Sequence, residues 1–236
     1  MQTALSSSIE RPDRPLVKVC GLTRPDEALA CARMGADAIG LVFYPQSPRH
    51  LTAPQAVDIC RCLPEGVTPV AVCVDLPSDE ILNFASECGC TTVQLHGRET
   101  PNKVARLRQA GLRVVKALFA SRPPEVSQAP HYDAATAFLI ECGAGRQPGG
   151  NARAWDWTVP AGLFEKQPVI LAGGLTPGNV RRALRTARPD AVDVSSGVER
   201  TPGRKDLEKV KAFLAAVKGC PEDNRIIPER SFKRIF

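Results

Sequence analysis

Short apolar, β-branched runs alternate with amphipathic stretches along most of the chain, and the two periods predict different elements. Leu16 to Cys20, Ala38 to Phe43, Pro69 to Val74, Thr91 to His96, Arg113 to Leu118, Thr136 to Glu141, Pro168 to Ala172 and Ala191 to Ser195 read as strands. Pro25 to Met34, Pro54 to Cys62, Asp79 to Cys88, Pro101 to Ala110, Pro177 to Ala187 and Lys205 to Val217 read as helices. The first of these has Pro at its opening turn and Gly35 just past its end, the expected start and stop signals. Two connections depart from the pattern. Ser121 to Asp133 carries Pro123-Pro124 and Pro130, so its helix is short or degraded. A Gly-rich loop running to Ala154 follows Glu141.

Short strands that each lead into a crossover imply parallel pairing through right-handed βαβ units. An open doubly wound sheet would bury both faces of its strands and make them nearly all apolar. Here Lys18, Cys20, Gln94, His96, Glu141 and Asp193 lie within strands or at their ends. A closed barrel brings strand ends together at one mouth, which suits so many polar groups. The fold class read from the chain is therefore α/β, a (βα)8 barrel over residues 16–219. A flexible lead-in (1–15) precedes it and a polar tail (220–236) follows.

Composition narrows the function. The 236 residues suit one such barrel, and 43% hydrophobic with 24% charged residues is ordinary for a globular protein with a core. Aromatics are only 5%, so that core must come mainly from Val, Ile, Leu and Ala. The net charge of +6 is spread among scattered Lys and Arg with no basic, aromatic-laced stripe. That argues against nucleic acid and leaves anionic small molecules as partners. The nine cysteines form no CxxC, and the pairs Cys60/Cys62 and Cys88/Cys90 have no His at zinc-ligand spacing. No metal site is expected; the thiols read as small buried groups in a reducing cytosol. Met1 to Pro15 has no apolar signal core, and no run is long enough to span a membrane, so a cytosolic protein is expected. Nothing in the pattern chooses between a monomer and a homodimer.

The chemistry concentrates in a few segments. Val169 to Pro177 is a strand running into Gly173-Gly174, then a helix opened by a Thr cap and Pro. Glycine lets main chain approach a ligand, and free N–H groups before a helix suit a phosphate dianion. One such loop is also an ordinary βα turn. The next unit repeats it in Ser196-Gly197, and paired loops after strands seven and eight are a recurrent barrel phosphate site. Period two places Lys18 and Cys20 on one inward face. A Cys there serves as a base or nucleophile where cations favour its thiolate, although alone it more often packs.

With these residues in view, the chain resembles the phosphoribosylanthranilate isomerase family from Leu16 to about Gly219. The segments that carry the resemblance are Lys18-Val19-Cys20-Gly21-Leu22-Thr23, Gly40-Leu41-Val42-Phe43-Tyr44-Pro45-Gln46-Ser47-Pro48-Arg49, Val93-Gln94-Leu95-His96-Gly97, Ala172-Gly173-Gly174-Leu175 and Asp193-Val194-Ser195-Ser196-Gly197-Val198-Glu199. The resemblance implies an Amadori rearrangement in tryptophan biosynthesis, from N-(5-phosphoribosyl)anthranilate to 1-(2-carboxyphenylamino)-1-deoxyribulose 5-phosphate. No cofactor is implied, because an iminium in the substrate is the electron sink. Cys20 would be the base, helped by Lys18 or by the iminium itself. Arg49 would hold the anthranilate carboxylate through its planar fork. Asp193, with Gln94 and His96, would line the mouth and orient ribose hydroxyls.

The chain departs from the family at strand six, where Leu139-Ile140-Glu141-Cys142 stands in place of a Leu-Leu-Asp-Thr type segment. Glu141 offers the same acid on a longer arm, and a shift of about 1 Å can cost on the order of a hundredfold in rate. The loop Gly149-Gly150-Asn151-Ala152 also lacks a glycine usual in the family. One expectation is an active isomerase that uses Glu141 as its acid. A second is a non-catalytic binder or regulator that kept the phosphate grip, and a third is an isomerase of a related phosphosugar.

Overall fold

The computed structural model describes residues 14–143, Trp157, 167–220 and 235–236. Eight parallel strands close in sequence order: β1 (Leu16–Cys20), β2 (Ala38–Phe43), β3 (Thr68–Cys73), β4 (Thr92–Leu95), β5 (Arg113–Phe119), β6 (Ala137–Glu141), β7 (Val169–Leu171) and β8 (Ala191–Val194). Pairing of β1 with β8, in the register Lys18 to Asp193, completes the barrel. The helices are α1 (Pro25–Arg33), α2 (Ala53–Cys62), α3 (Ser78–Cys88), α4 (Pro101–Gln109), α5 (Val180–Ala187) and α6 (Leu207–Lys218). The Pro-rich stretch after β5 forms a 3-10 helix, Val126–Tyr132, in place of a full crossover helix.

Period two divides each strand between two cores. On β5, Val115, Ala117 and Phe119 join the cluster inside the barrel, whereas Val114 and Leu118 pack outward under the helices. Lys116 also points outward. It is fully buried, with Nζ 2.7 Å from Glu99 Oε2 and 2.8 Å from the Gly97 carbonyl. Glu99 in turn accepts from the Asp75 and Gly97 N–H groups, so this ion pair fastens the loops after β3 and β4.

Two sequence expectations need correction. The helix after β7 begins at Val180, not Pro177, because Asn179 holds the preceding turn. Its Oδ1 accepts from Thr176 N (2.8 Å) and its Nδ2 donates to the Gly174 carbonyl (2.8 Å). The last helix begins at Leu207, after a hairpin of β9 (Glu199–Thr201) and β10 (Arg204–Lys205) that the sequence pattern does not announce. Asp206 caps that helix by accepting from Glu208 N and Lys209 N.

Of the predicted lead-in, residues 1–13 lie outside the described residues; Arg14 is paired with Asp37 at 2.7 Å. The loop 149–152 and tail residues 221–234 also lie outside them. Every cysteine is a free thiol. Among the described residues no helix is long and apolar enough to cross a membrane, and no group of His, Cys, Asp and Glu could hold a metal ion.

Candidate active site

One cavity opens at the carboxyl ends of the strands. Its wall includes Cys20, Arg49, Gln94, His96, Glu141 and Asp193, together with both glycine loops, Gly173-Gly174 and Ser196-Gly197. Lys18 is the exception among the sequence candidates, lying fully buried beneath this wall.

The β7–β8 side is main chain. Gly173 and Gly174 take φ of +86° and +67°, the left-handed region open to glycine at little cost. Their carbonyls are tied from behind, Gly173 O by the Trp157 indole N–H at 3.4 Å and Gly174 O by Asn179. Among the described residues the N–H groups of Gly173, Gly174, Ser196 and Gly197 have no protein acceptor. The two loops touch: a Cβ on Gly197 would lie 1.8 Å from the Leu175 carbonyl oxygen. The result is a concave patch of N–H dipoles beside the short 3-10 helix Ser196–Val198, suited to an anion.

Across the cavity, Cys20 ends β1 one step above Lys18. Lys18 Nζ donates to Asp193 Oδ1 at 2.9 Å. Burial works against the Lys18 ammonium, but Asp193 and Cys20 outweigh it and hold its pKa above the ordinary lysine value. Burial pushes the Cys20 thiol up, and the opposing pull of Lys18 and Lys205 does not overcome it. Lys18 thus acts in the direction the sequence anticipated, yet burial outweighs it. Gly40 of β2 makes room for the sulfur, since a Cβ there would stand 2.6 Å from Cys20 Sγ.

The third side is a chain of side chains. Gln94 Nε2 lies 2.9 Å from His96 Nδ1, which leaves the imidazole proton on Nε2, the nitrogen that faces Glu141 Oε2 at 3.3 Å. That approach is close but not aligned as a hydrogen bond, so His96 Nε2 and Gln94 Oε1 are both buried without a hydrogen-bond partner in the protein. Phe119 packs edge-on against the imidazole, with ring centroids 5.5 Å apart.

Arg49 reaches the cavity from the loop after β2, and two residues not singled out from sequence set its pose. Its Nε and Nη2 bond Glu199 Oε1 and Oε2 at 2.8 and 2.6 Å. Lys205 Nζ adds a 2.9 Å contact to Glu199 Oε1. Burial disfavours the Glu199 carboxylate, but Arg49 and Lys205 hold its pKa below the ordinary value. Val42, Val72 and the edge of Tyr44 pack with Cys20 as an apolar wall nearby. Period two from Gly40 could have identified Val42; Glu199 and Lys205 needed the hairpin.

A main-chain cradle at the last two βα loops is a recurrent feature of (βα)8 barrels that hold phosphorylated ligands. The model of the N-(5'-phosphoribosyl)anthranilate isomerase family matches residues 17–216. The chain is 49% identical over 198 residues to the N-(5'-phosphoribosyl)anthranilate isomerase of Desulfatibacillum aliphaticivorans, covering 84% of this chain and 90% of that one. The solved phosphoribosyl anthranilate isomerase of Thermotoga maritima superposes with a TM-score of 0.80 at 36% identity, over 87% of this chain and 99% of that one. Another, at TM-score 0.77 and 35% identity over 87% and 99% of the two chains, holds reduced 1-(o-carboxyphenylamino)-1-deoxyribulose 5-phosphate. The chain belongs to the phosphoribosylanthranilate isomerase family.

Proposed function

We propose that this barrel isomerises N-(5-phosphoribosyl)anthranilate to 1-(2-carboxyphenylamino)-1-deoxyribulose 5-phosphate, the tryptophan-pathway reaction of its family. The observation that carries the reading is the single cavity that sets Cys20, Arg49 and Glu141 opposite both glycine loops. The phosphate sits on the N–H groups of Gly173, Gly174, Ser196 and Gly197. The aromatic ring lies along Val42 and Tyr44, and its carboxylate takes the edge of the Arg49 guanidinium that Glu199 leaves free. Ribose hydroxyls meet Asp193 and the unpartnered Gln94 Oε1, so that binding relieves the cost of a buried orphan acceptor. Lys18 holds Asp193 in place from below.

Glu141 gives its proton to the furanose ring oxygen as the C1′–O bond breaks, and the anilino nitrogen lone pair forms the iminium. Cys20 then takes the C2′ proton, and the freed electron pair makes the C1′=C2′ bond and neutralises the nitrogen. The enolamine tautomerises to the ketone. Burial favours the thiol and Lys18 and Lys205 oppose it; the positive iminium adds to their pull, so the thiol gives its proton to solvent at the open mouth and the thiolate becomes the base. That timing makes the base available only after the ring has opened. His96, turned by Gln94, keeps the glutamate carboxyl facing the cavity.

Mixing the purified protein with freshly made phosphoribosylanthranilate should quench the substrate's fluorescence at a rate proportional to enzyme. Tight binding of a reduced product analogue without turnover would replace the isomerase with a binder that kept only the phosphate grip.

A further inference from the structure

The segment after α6 reads as polar, yet two of its side chains are buried in the barrel. Ile235 and Phe236 are only 3% and 5% exposed, and they belong to the cluster inside the strands, with Leu16, Ala38, Val70, Ala137 and Ala191. Neither lines the mouth. They therefore occupy the opposite, amino-terminal end. That is also where α6 delivers the chain, with Lys218 Nζ 3.4 Å from a Cβ position on Gly35, the residue that turns into β2.

The barrel needs something there. Barrel layers are normally filled by branched side chains meeting from alternate strands. Here β2, β6 and β8 contribute only the methyl groups of Ala38, Ala137 and Ala191 to this end of the interior cluster. Without an occupant the base would be an apolar hollow, which neither water nor the remaining side chains fill well. Ala38 is also the register partner of Lys18, so the hollow would open directly beneath the buried Lys18–Asp193 pair.

We propose that the barrel base is a binding site for an adjacent aliphatic and aromatic side chain, and that Ile235-Phe236 of the same chain is its occupant. The dipeptide is a plug docked from below. It supplies the layer that three alanines omit, and it keeps water from reaching the Lys18–Asp193 pair from that side. The plug is independent of the catalytic reading, because neither side chain touches the mouth.

The test begins with full-length protein carrying Ile235→Ala and Phe236→Ala together, compared with Phe236→Leu. The double variant should melt about 10 °C lower, and the leucine variant should keep most of the difference. A chain shortened to residue 224 should then bind a synthetic peptide of residues 225–236 saturably and recover its melting temperature. The same peptide with alanine at its last two positions should do neither. A double variant melting within about 2 °C of the parent would overturn the plug, as would equal rescue by both peptides. A melting temperature that rises with protein concentration in the parent but not in the double variant would place the dipeptide in a second copy and overturn its intramolecular docking. Should the shortened chain fail to fold, the full-length variants decide the question alone.

Discussion

On the β7–β8 side the mouth is lined by main chain, at Gly173, Gly174, Ser196 and Gly197; from β1, β4 and β6 it is lined by the side chains of Cys20, His96 and Glu141. The glycines of the first side have no rotamers to fix. Its N–H groups point where the backbone points, and Trp157 and Asn179 hold that backbone from behind. The second side depends on partners: Lys18 beneath Cys20, Gln94 behind His96, and His96 beside Glu141. A grip made of backbone resists changes in neighbouring side chains. A wall made of side chains can be retuned one residue at a time, and the proposed acid Glu141 stands on that side.

The contrast can be broken most severely at the thiol. Cys20→Ala should lower kcat by about a thousandfold, the usual scale for loss of a general base, with affinity for a product analogue kept within about threefold. Steady-state kinetics beside calorimetric titration separate the two quantities; normal turnover would remove Cys20 from the mechanism. Next comes the backbone side. Gly197→Ala drives a methyl group against the Leu175 carbonyl and must displace the loop, so kcat/KM should fall about a hundredfold and inorganic phosphate should cease to compete.

Glu141→Asp tests whether the site is built around its longer acid. The shorter arm withdraws the carboxyl from His96, and we expect kcat to fall about tenfold with KM little changed. A gain in rate would mean that Glu141 is a compromised acid. Arg49→Lys should act mainly on KM, raising it about tenfold, because an ammonium cannot serve Glu199 and a substrate carboxylate with one fork.

The smallest effect is on acid stability. Glu199 has a folded-state pKa below its unfolded value, so its contribution is complete above the ordinary carboxylate pKa of about 4.3. It is lost as pH falls through the depressed folded value. Glu199→Gln should therefore lower the melting temperature at neutral pH and flatten its decline below about pH 4, as read by calorimetry across a pH series.

The barrel was legible because its strands advertise themselves locally, in apolar runs bounded by turn residues. The mouth was legible for a related reason: Cys20, His96, Glu141 and Asp193 are polar residues in places where strands should be apolar. The hairpin escaped because Glu199–Thr201 and Arg204–Lys205 have no apolar alternation, and only Pro202-Gly203 between them marks a turn. Missing it hid the role of Glu199 as the partner of Arg49. The Lys116–Glu99 pair escaped because a buried charge looks like any other until its partner's position is known. Ile235 and Phe236 escaped because their surroundings in the sequence are polar, while their surroundings in space are alanines from distant strands.

Gly40 carries a different kind of consequence. Because the sulfur of Cys20 occupies the space a methyl group would need, a single-base change from a glycine to an alanine codon would move the thiol while leaving every reacting group encoded. Position 40 is thus a point at which the proposed base is displaced in one step without altering any residue that lines the mouth.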